Sequence, residues 1–368
     1  MCLVMVNIYI DKKYKFFEIF NKNNGMLFRS NVIGTEEDAY CRSFPELLDV
    51  GIMGHCDAAK KHFCSSAGID CYQNGLFNNN ENMPFENYVW LINQCKGKVF
   101  QVALGGSGDP NKHEDFDNIL QYTHENQIVP NLTTSGYLLD DNEIKLIKKY
   151  CGAVAVSFYS RLKSNSESNP VTINSIRNLV KEGCITNIHY VVSSDNIDEC
   201  IYRLENEIFP QGINAIIFLL YKPVGQGKNS KILRCNNRLI RFLDLATNKK
   251  HNYKVGFDTC FVTALYNSQT ISKESMDFCE AARFSMYIDS TLKAFPCSFG
   301  CHIEKYGIQL KPKTIQEVWD GKVFNKFVNS NNFKCNNCSE KETCEGGCKL
   351  NLDINLCKYS KNSITLNL

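Results

Sequence analysis

The chain has 368 residues, 43% hydrophobic and 22% charged, with 41 lysines and arginines against 39 aspartates and glutamates for a formal net charge of +2. That length allows two or three domains, or one large barrel with an appendage, and the apolar share excludes wholesale disorder. The near-neutral balance excludes the phosphate-binding surface of nucleic-acid proteins, so no nucleic-acid partner is expected.

The stretch from Met1 to Ile10 is apolar but short, with no basic leader and no small-residue cleavage site, and Asp11, Lys12 and Lys13 follow at once. It reads as a strand rather than a signal peptide. No apolar run approaches the roughly 20 residues a membrane helix needs. No membrane partner is expected, and the chain is assigned to the cytoplasm. Tyr14 to Phe20 and Met26 to Val32 read as strands around an Asn-Asn-Gly turn, which makes a hairpin segment of residues 1–47.

From residue 48 the pattern alternates. Strands are expected at Leu48 to Met53, Val99 to Leu104, Ile128 to Thr133, Ala153 to Phe158, Asn187 to Val192 and Ile213 to Leu220. Helices are expected at Pro84 to Cys95, His113 to Asn126, Asp140 (as N-cap) to Tyr150, Thr172 to Glu182, Ile197 to Ile208 and Ile232 to Thr247. The strands are nearly continuous apolar runs, as in parallel sheets buried on both faces. Six such units with right-handed crossovers predict an α/β fold, a partial (β/α)6 TIM-type barrel over residues 48–250. Chemistry then belongs at the C-terminal ends of the strands. The distinctive loops lie there: cysteines after the first strand, glycines after the second, Thr134-Ser135-Gly136 after the third.

After about His251 the alternation stops, and 9 of the 19 cysteines fall in the remaining segment, residues 251–368. Cytosolic thiols stay reduced, so metal or cluster ligation is the expected reason for so many cysteines. The densest pattern is Cys335-x2-Cys338-x5-Cys344-x3-Cys348, with Cys357 beyond it. Soft thiolates at this spacing select zinc or iron–sulfur clusters. A zinc ribbon is the competing reading, but the cysteines here and upstream exceed what one tetrahedral zinc uses. Upstream, Met286-Tyr287-Ile288-Asp289, a turn and Ala294-Phe295-Pro296-Cys297 form an expected hairpin that brings Cys279 and Cys297 together.

This order of cysteines resembles the SPASM domain of radical SAM peptide- and protein-modifying enzymes, over about residues 255 to 360; Thr291 departs from the glycine usual in that hairpin. The resemblance implies a cysteine-rich C-terminal iron–sulfur (SPASM) domain with two auxiliary [4Fe-4S] clusters. Cys279, Cys297 and Cys348 would hold one, with Cys260 as fourth ligand and Cys301 as its rival. Cys335, Cys338, Cys344 and Cys357 would hold the other. Cys56, Cys64 and Cys71 stand where radical SAM enzymes place the catalytic [4Fe-4S] cluster, but at C-x7-C-x6-C rather than the common C-x3-C-x2-C. Three ligands leave one iron open to bind a substrate, here the amino and carboxylate groups of S-adenosylmethionine. The bland alternative is that some of these thiols are core cysteines.

Gly105-Gly106-Ser107-Gly108-Asp109-Pro110 resembles the family's Gly-Gly-Glu-Pro segment, with Asp for Glu, and Thr134-Ser135-Gly136 resembles its Thr-Asn-Gly. Ser157 resembles a serine near the ribose or carboxylate, and Arg161 is a candidate bidentate partner of that carboxylate. His189 is a candidate substrate contact or a core histidine, and Tyr221-Lys222-Pro223-Val224-Gly225 is placed to touch adenine. The implied activity is reductive cleavage of S-adenosylmethionine to a 5′-deoxyadenosyl radical that takes hydrogen from a peptide or protein, forming a thioether or carbon crosslink. A reduced flavodoxin or ferredoxin-type donor would supply the electron. The alternatives are sulfatase-maturase-type oxidation of a Cys or Ser side chain and an iron–sulfur or zinc redox module without S-adenosylmethionine.

Overall fold

A computed structural model of the chain describes residues 6–163, 166–266, 271–272, 275–330, 335, 338 and 341–357. Residues 1–5 of the expected first strand lie outside these. Strands β1 (Val6–Asp11), β2 (Phe16–Asn21) and β3 (Leu27–Arg29) form an antiparallel sheet in that order. Asp11 shapes the first turn by accepting the N–H groups of Lys13 and Tyr14 at 3.0 and 2.9 Å. It also accepts the N–H and hydroxyl of Ser43, both at 2.7 Å, which pins the sheet to the chain that follows. Glu18 on β2 pairs with Arg42 at 2.7 Å, both fully buried, and Arg29 adds Glu46 at 2.9 Å.

The expected alternation is present. Strands β4 (Leu47–Met53), β5 (Gln101–Gly106), β6 (Val129–Thr134), β7 (Val154–Ser157), β8 (Thr186–Val192) and β9 (Ala215–Leu220) are parallel neighbours in chain order. Helices α1 (Phe85–Cys95), α2 (Phe116–Glu125), α3 (Asp141–Tyr150), α4 (Pro170–Lys181), α5 (Ile197–Glu205) and α6 (Asn237–Asn248) follow them. The helices bury one face of the sheet. Leu48, Val50, Ile52, Val102, Leu104, Ile188 and Phe218 share a core with Leu91, Ile119, Ile176 and Phe242. Asp140 caps α3 through a full capping box with Glu143.

Two differences from the sequence reading stand out. Helix α6 begins at Asn237 rather than Ile232, because the Asn236 side chain accepts the N–H groups of Arg238 and Leu239 and sets the start. The parallel sheet is also larger than six strands. Strand β10 (Lys254–Phe257) adds beyond β9, and β11 (Ser285–Ile288) adds in parallel on the other side, beside β4. Strands β12 (Lys293–Phe295) and β13 (Ile308–Gln309) then continue antiparallel. The ten-stranded order is β10-β9-β8-β7-β6-β5-β4-β11-β12-β13, an open sheet with β10 and β13 at its edges. It therefore runs across the boundary expected near His251. The four-residue β10 contains a glycine, and β11 pairs with a strand more than 200 positions earlier. Neither leaves a local periodic signal.

Helices α7 (Ile315–Trp319) and α8 (Lys322–Val328) return toward the N-terminal region, where Trp319 Nε1 donates to the Arg42 carbonyl at 2.9 Å. No described helix is long and apolar enough to cross a membrane.

Candidate active site

The C-terminal end of β4 leads directly into Cys56. The Cys56 sulfur accepts the Ala59 N–H at 3.3 Å, and the Cys71 sulfur accepts the Gly75 N–H at 3.3 Å. Gly75 lies between them: a Cβ there would stand 3.0 Å from Cys56 Cβ and 3.5 Å from Cys71 Sγ. Burial raises the Cys64 thiol, and Asp109, Cys56 and Cys71 raise it further, so the three thiols share one electrostatic neighbourhood. Burial pushes the Cys56 thiol up to about 11, with Asp109 and Cys71 adding to it. Buried thiols of this kind become thiolates when a metal supplies the compensating charge. The long spacing is folded away locally. Residues Asp57–Lys60 make one helical turn, His62 takes φ 56°, and Ser65–Ala67 make a tight turn closed by Gly68 at φ 75°.

The glycine loop after β5 touches this loop. A Cβ on Gly108 would fall 2.4 Å from the His55 carbonyl oxygen, and one on Gly106 2.6 Å from the Met53 carbonyl oxygen. Only glycine permits so close an approach. Asp109 is not free for a ligand: its carboxylate accepts the Ser135 N–H at 2.6 Å and the Ser135 hydroxyl at 2.5 Å, tying the β5 loop to the β6 loop. Pro110 opens the short turn after it, and Thr134 donates to Asn111 at 3.1 Å while accepting the Gly136 N–H at 3.1 Å. Ser157 sits in register with His189 across β7 and β8. Arg161 meets Glu199 at 3.5 Å and the Ala67 carbonyl of the cysteine loop at 3.5 Å.

The sheet face away from the helices carries Asp49, Gly51, Gly105, Asn131, Ser157 and His189 between the buried apolar positions of each strand. Burial lowers His189 to about 4, so its imidazole is neutral. Burial raises Asp49 to about 7, opposed by a hydrogen bond from Ser298. Asp49 is a residue the sequence reading passed over, although a carboxylate within Leu-Leu-Asp-Val-Gly-Ile-Met was the available signal. Tyr287, in register with Asp49, occupies the space left by Gly51, where a Cβ would lie 2.4 Å from its hydroxyl. Gln73 donates to that hydroxyl at 3.4 Å.

The C-terminal cysteines form two groups. Cys260 and Cys348 are hydrogen-bonded to each other; the bond raises Cys260 and lowers Cys348. Burial raises Cys279 to about 11, with Cys260 adding to it, and burial raises Cys297, with Cys279 and Cys260 adding. Cys301 stands elsewhere: its thiol faces Gln73 Oε1 at 3.6 Å, in the neighbourhood of Asp49 and Cys71. Burial pushes Cys344 up to about 12, and Cys357, Cys335 and Cys338 raise it further. Among the described residues, no three cysteine, histidine or acidic side chains are drawn together closely enough to hold a single metal ion. An iron–sulfur cluster, which interposes its own irons and sulfides, asks for a wider ring of thiolates.

The loop after β9, expected to touch adenine, physically joins these regions. The Tyr221 hydroxyl donates to Asp70 at 2.9 Å, and the Gln226 N–H donates to the Cys71 carbonyl at 3.0 Å. Gly225, at φ 61°, lies where a Cβ would meet the Tyr72 carbonyl oxygen at 2.4 Å. Lys222 turns the other way, toward Asp258 at 2.6 Å and the Cys260 group. The Tyr72 ring, next in sequence to Cys71, and the Phe299 ring, two positions after Cys297, pack with centroids 4.7 Å apart.

No family model matches the chain, and no curated protein matches it. Solved structures do. SuiB from Streptococcus suis bound to S-adenosylmethionine superposes with a TM-score of 0.70 at 17% identity, covering 99% of this chain and 100% of that one. SuiB bound to its precursor peptide SuiA gives 0.70 at 18% identity, with 99% and 100% covered. Histidine-tagged anSMEcpe with bound AdoMet gives 0.61 at 16% identity, with 87% and 89% covered. At these identities the likeness is one of fold, and over nearly its whole length this chain has the fold of SuiB.

Proposed function

We propose that this chain is a radical SAM enzyme with a partial barrel and a C-terminal SPASM-type region, and that it modifies a peptide or protein. The observation that carries the reading is the meeting of Cys56, Cys64 and Cys71 with the glycine loop after β5, despite their long spacing. The fold likeness to SuiB, whose structures hold S-adenosylmethionine and the precursor peptide SuiA, supports the substrate class.

Cys56, Cys64 and Cys71 would hold the catalytic [4Fe-4S] cluster. Cys260, Cys279, Cys297 and Cys348 would hold the first auxiliary cluster, and Cys335, Cys338, Cys344 and Cys357 the second. Cys301 is set aside as a ligand because it lies with Gln73 rather than with Cys260. With S-adenosylmethionine bound beside these three thiols, the chemistry supplied would be one-electron reductive cleavage, driven by a flavodoxin or ferredoxin-type donor, giving a radical able to take a hydrogen atom from the substrate. The protein's own share is positioning. Gly105, Gly106, Gly108 and Pro110 would present backbone to the amino-acid end of S-adenosylmethionine. Asp109 holds the β5 and β6 loops at a fixed distance through Ser135, with Thr134 bracing the second loop. Ser157 and the neutral imidazole of His189, in register on one face of the sheet, would border the cofactor, and Arg161, held by Glu199 and the Ala67 carbonyl, would border it from the cysteine loop.

The test is anaerobic reconstitution with iron and sulfide, addition of S-adenosylmethionine and dithionite, and quantification of 5′-deoxyadenosine. The wild type is expected to form it, and a Cys56→Ala, Cys64→Ala, Cys71→Ala variant to form none. A wild type that binds iron only at the C-terminal cysteines and forms no 5′-deoxyadenosine overturns the reading in favour of an electron-transfer module.

A further inference from the structure

We propose that Lys222 sets the reduction potential of the group held by Cys260, Cys279, Cys297 and Cys348, raising it so that this group takes up an electron released as the substrate is oxidised. The inference rests on the reading that these thiols hold an iron–sulfur cluster.

Lys222 lies just past the C-terminal end of β9, and its side chain is 4% exposed. Its ammonium donates to the Leu220 carbonyl at 2.9 Å and to the Asp258 carboxylate at 2.6 Å, and it stands 4.3 Å from the centroid of the Phe299 ring. Asp258 is two positions before Cys260, and Phe299 two positions after Cys297. The ion pair is thus built into the two segments that deliver two of the thiols. A buried pair of this kind is weak support for stability, since hydrophobic residues of the same volume do as well. Its placement therefore calls for another explanation.

The charge acts on the cysteines. Cys260 and Cys348 both bear on the Lys222 ammonium, and Lys222 in turn bears on Cys260 and Cys297. The ammonium, donating to Asp258 and standing over the Phe299 ring, is the cation held between the segments that carry Cys260 and Cys297. Adding one electron to a cluster adds one negative charge, and a positive charge nearby in a dry interior favours that state. The same loop packs Gly225 and Gln226 onto the carbonyls of Tyr72 and Cys71, so Lys222 is held by contacts from both cysteine regions.

The experiment uses the anaerobically reconstituted full chain with Cys56→Ala, Cys64→Ala and Cys71→Ala, so that only the C-terminal centres report. Their midpoints are read by redox titration monitored by electron paramagnetic resonance, with iron content and melting temperature measured alongside. In this background Lys222→Met is expected to lower the one-electron reduction constant of one centre at least tenfold, about 59 mV for a one-electron couple, while the other stays put. Lys222→Arg, which keeps the charge and the stacking on Phe299, is expected to restore the midpoint. Asp258→Asn is expected to move the same centre upward, and it carries the test should Lys222→Met lose iron. Unmoved midpoints in an iron-replete Lys222→Met protein, or an unmoved or lowered midpoint in Asp258→Asn, overturn the proposal while leaving the enzyme reading intact. A background protein with no reducible centre overturns both.

Discussion

Replacing Asp49 by asparagine is expected to stabilise the protein, increasingly so as pH rises. Asp49 lies on the inner face of β4, and its carboxyl is raised from the ordinary 3.8 to about 7 by burial, with only the Ser298 hydrogen bond opposing. Among the described residues that act on it there is no cation. A carboxyl with a raised folded pKa keeps its proton in the native state while the unfolded chain has lost it. The native state therefore binds more protons between about pH 4 and about pH 7, and stability falls as pH climbs through that window. The cost grows from about 2 kcal/mol near pH 5 to about 4 kcal/mol near pH 8. Asparagine has the same shape and no charge to lose. Melting temperatures of the wild type and Asp49→Asn, taken on the reconstituted protein from about pH 5 to about pH 8, should diverge with pH in favour of the variant. Cys301 is raised to about 12, and Tyr72 and Tyr287 are raised as well, all by burial first, while His189 is lowered to about 4. Of these neighbours only His189 reaches the lower edge of the window, and it is common to both proteins. Glu18, at about 8, titrates near its upper end, but it is common to both proteins and cancels in the difference. A gap that is flat or narrows with pH refutes the argument. A carboxylate kept at a cost on a face shared with the cysteine loops is what a functional site looks like.

Two further substitutions probe the frame around the site. Gly51→Ala places a methyl 2.4 Å from the Tyr287 hydroxyl and 3.2 Å from the Gly106 Cα. It is expected to cost about 1–3 kcal/mol as an overpacked position and to break the Gln73–Tyr287 contact; an unchanged denaturation midpoint would count against the packing described. Arg203, fully buried, donates to both Glu167 oxygens at 2.7 and 2.8 Å and to Glu199 at 2.9 Å. Arg203→Met takes the buried cation from the half-buried Glu167 and leaves Glu199 only Arg161 at 3.5 Å, and is expected to cost about 3 kcal/mol in urea unfolding. On the proposed function it should also weaken S-adenosylmethionine binding, because Glu199 holds the Leu162 N–H and Arg161 in place; calorimetric titration reads that effect separately.

The parts of the fold that were legible in the sequence were those with a local period. Leu48, Val50 and Ile52 announce a buried strand, and Asp140 with Glu143 announces a helix start. Strand β11 was legible as half of a hairpin but not as the neighbour of β4, because parallel pairing at such sequence distance leaves no trace in either segment. At the site, thiols and glycines were visible as residue types. Their partners were not: nothing near Asp109 says that its carboxylate is spent on Ser135, and nothing near Lys222 says that it turns from the adenine side toward Asp258. Such pairings are made by tertiary geometry between loops that follow different strands.

On the proposal that Cys56, Cys64 and Cys71 hold a cluster, their spacing shows why a fixed interval is a poor guide to such a site. What a cluster needs is three sulfurs around one volume, and a loop can meet that need with any number of residues if the surplus is folded locally. Here the surplus goes into one helical turn, one positive-φ histidine and one tight turn. The constraint then passes to the residues that let the loops interlock. Gly75 fits between Cys56 and Cys71, Gly108 against His55, and Gly225 against Tyr72, each where a methyl would collide at 3.0 Å or less. On this argument glycines from three different loops specify the site as firmly as the thiols do. A longer interval between the cysteines is tolerable, whereas a side chain at any of these three glycines is not.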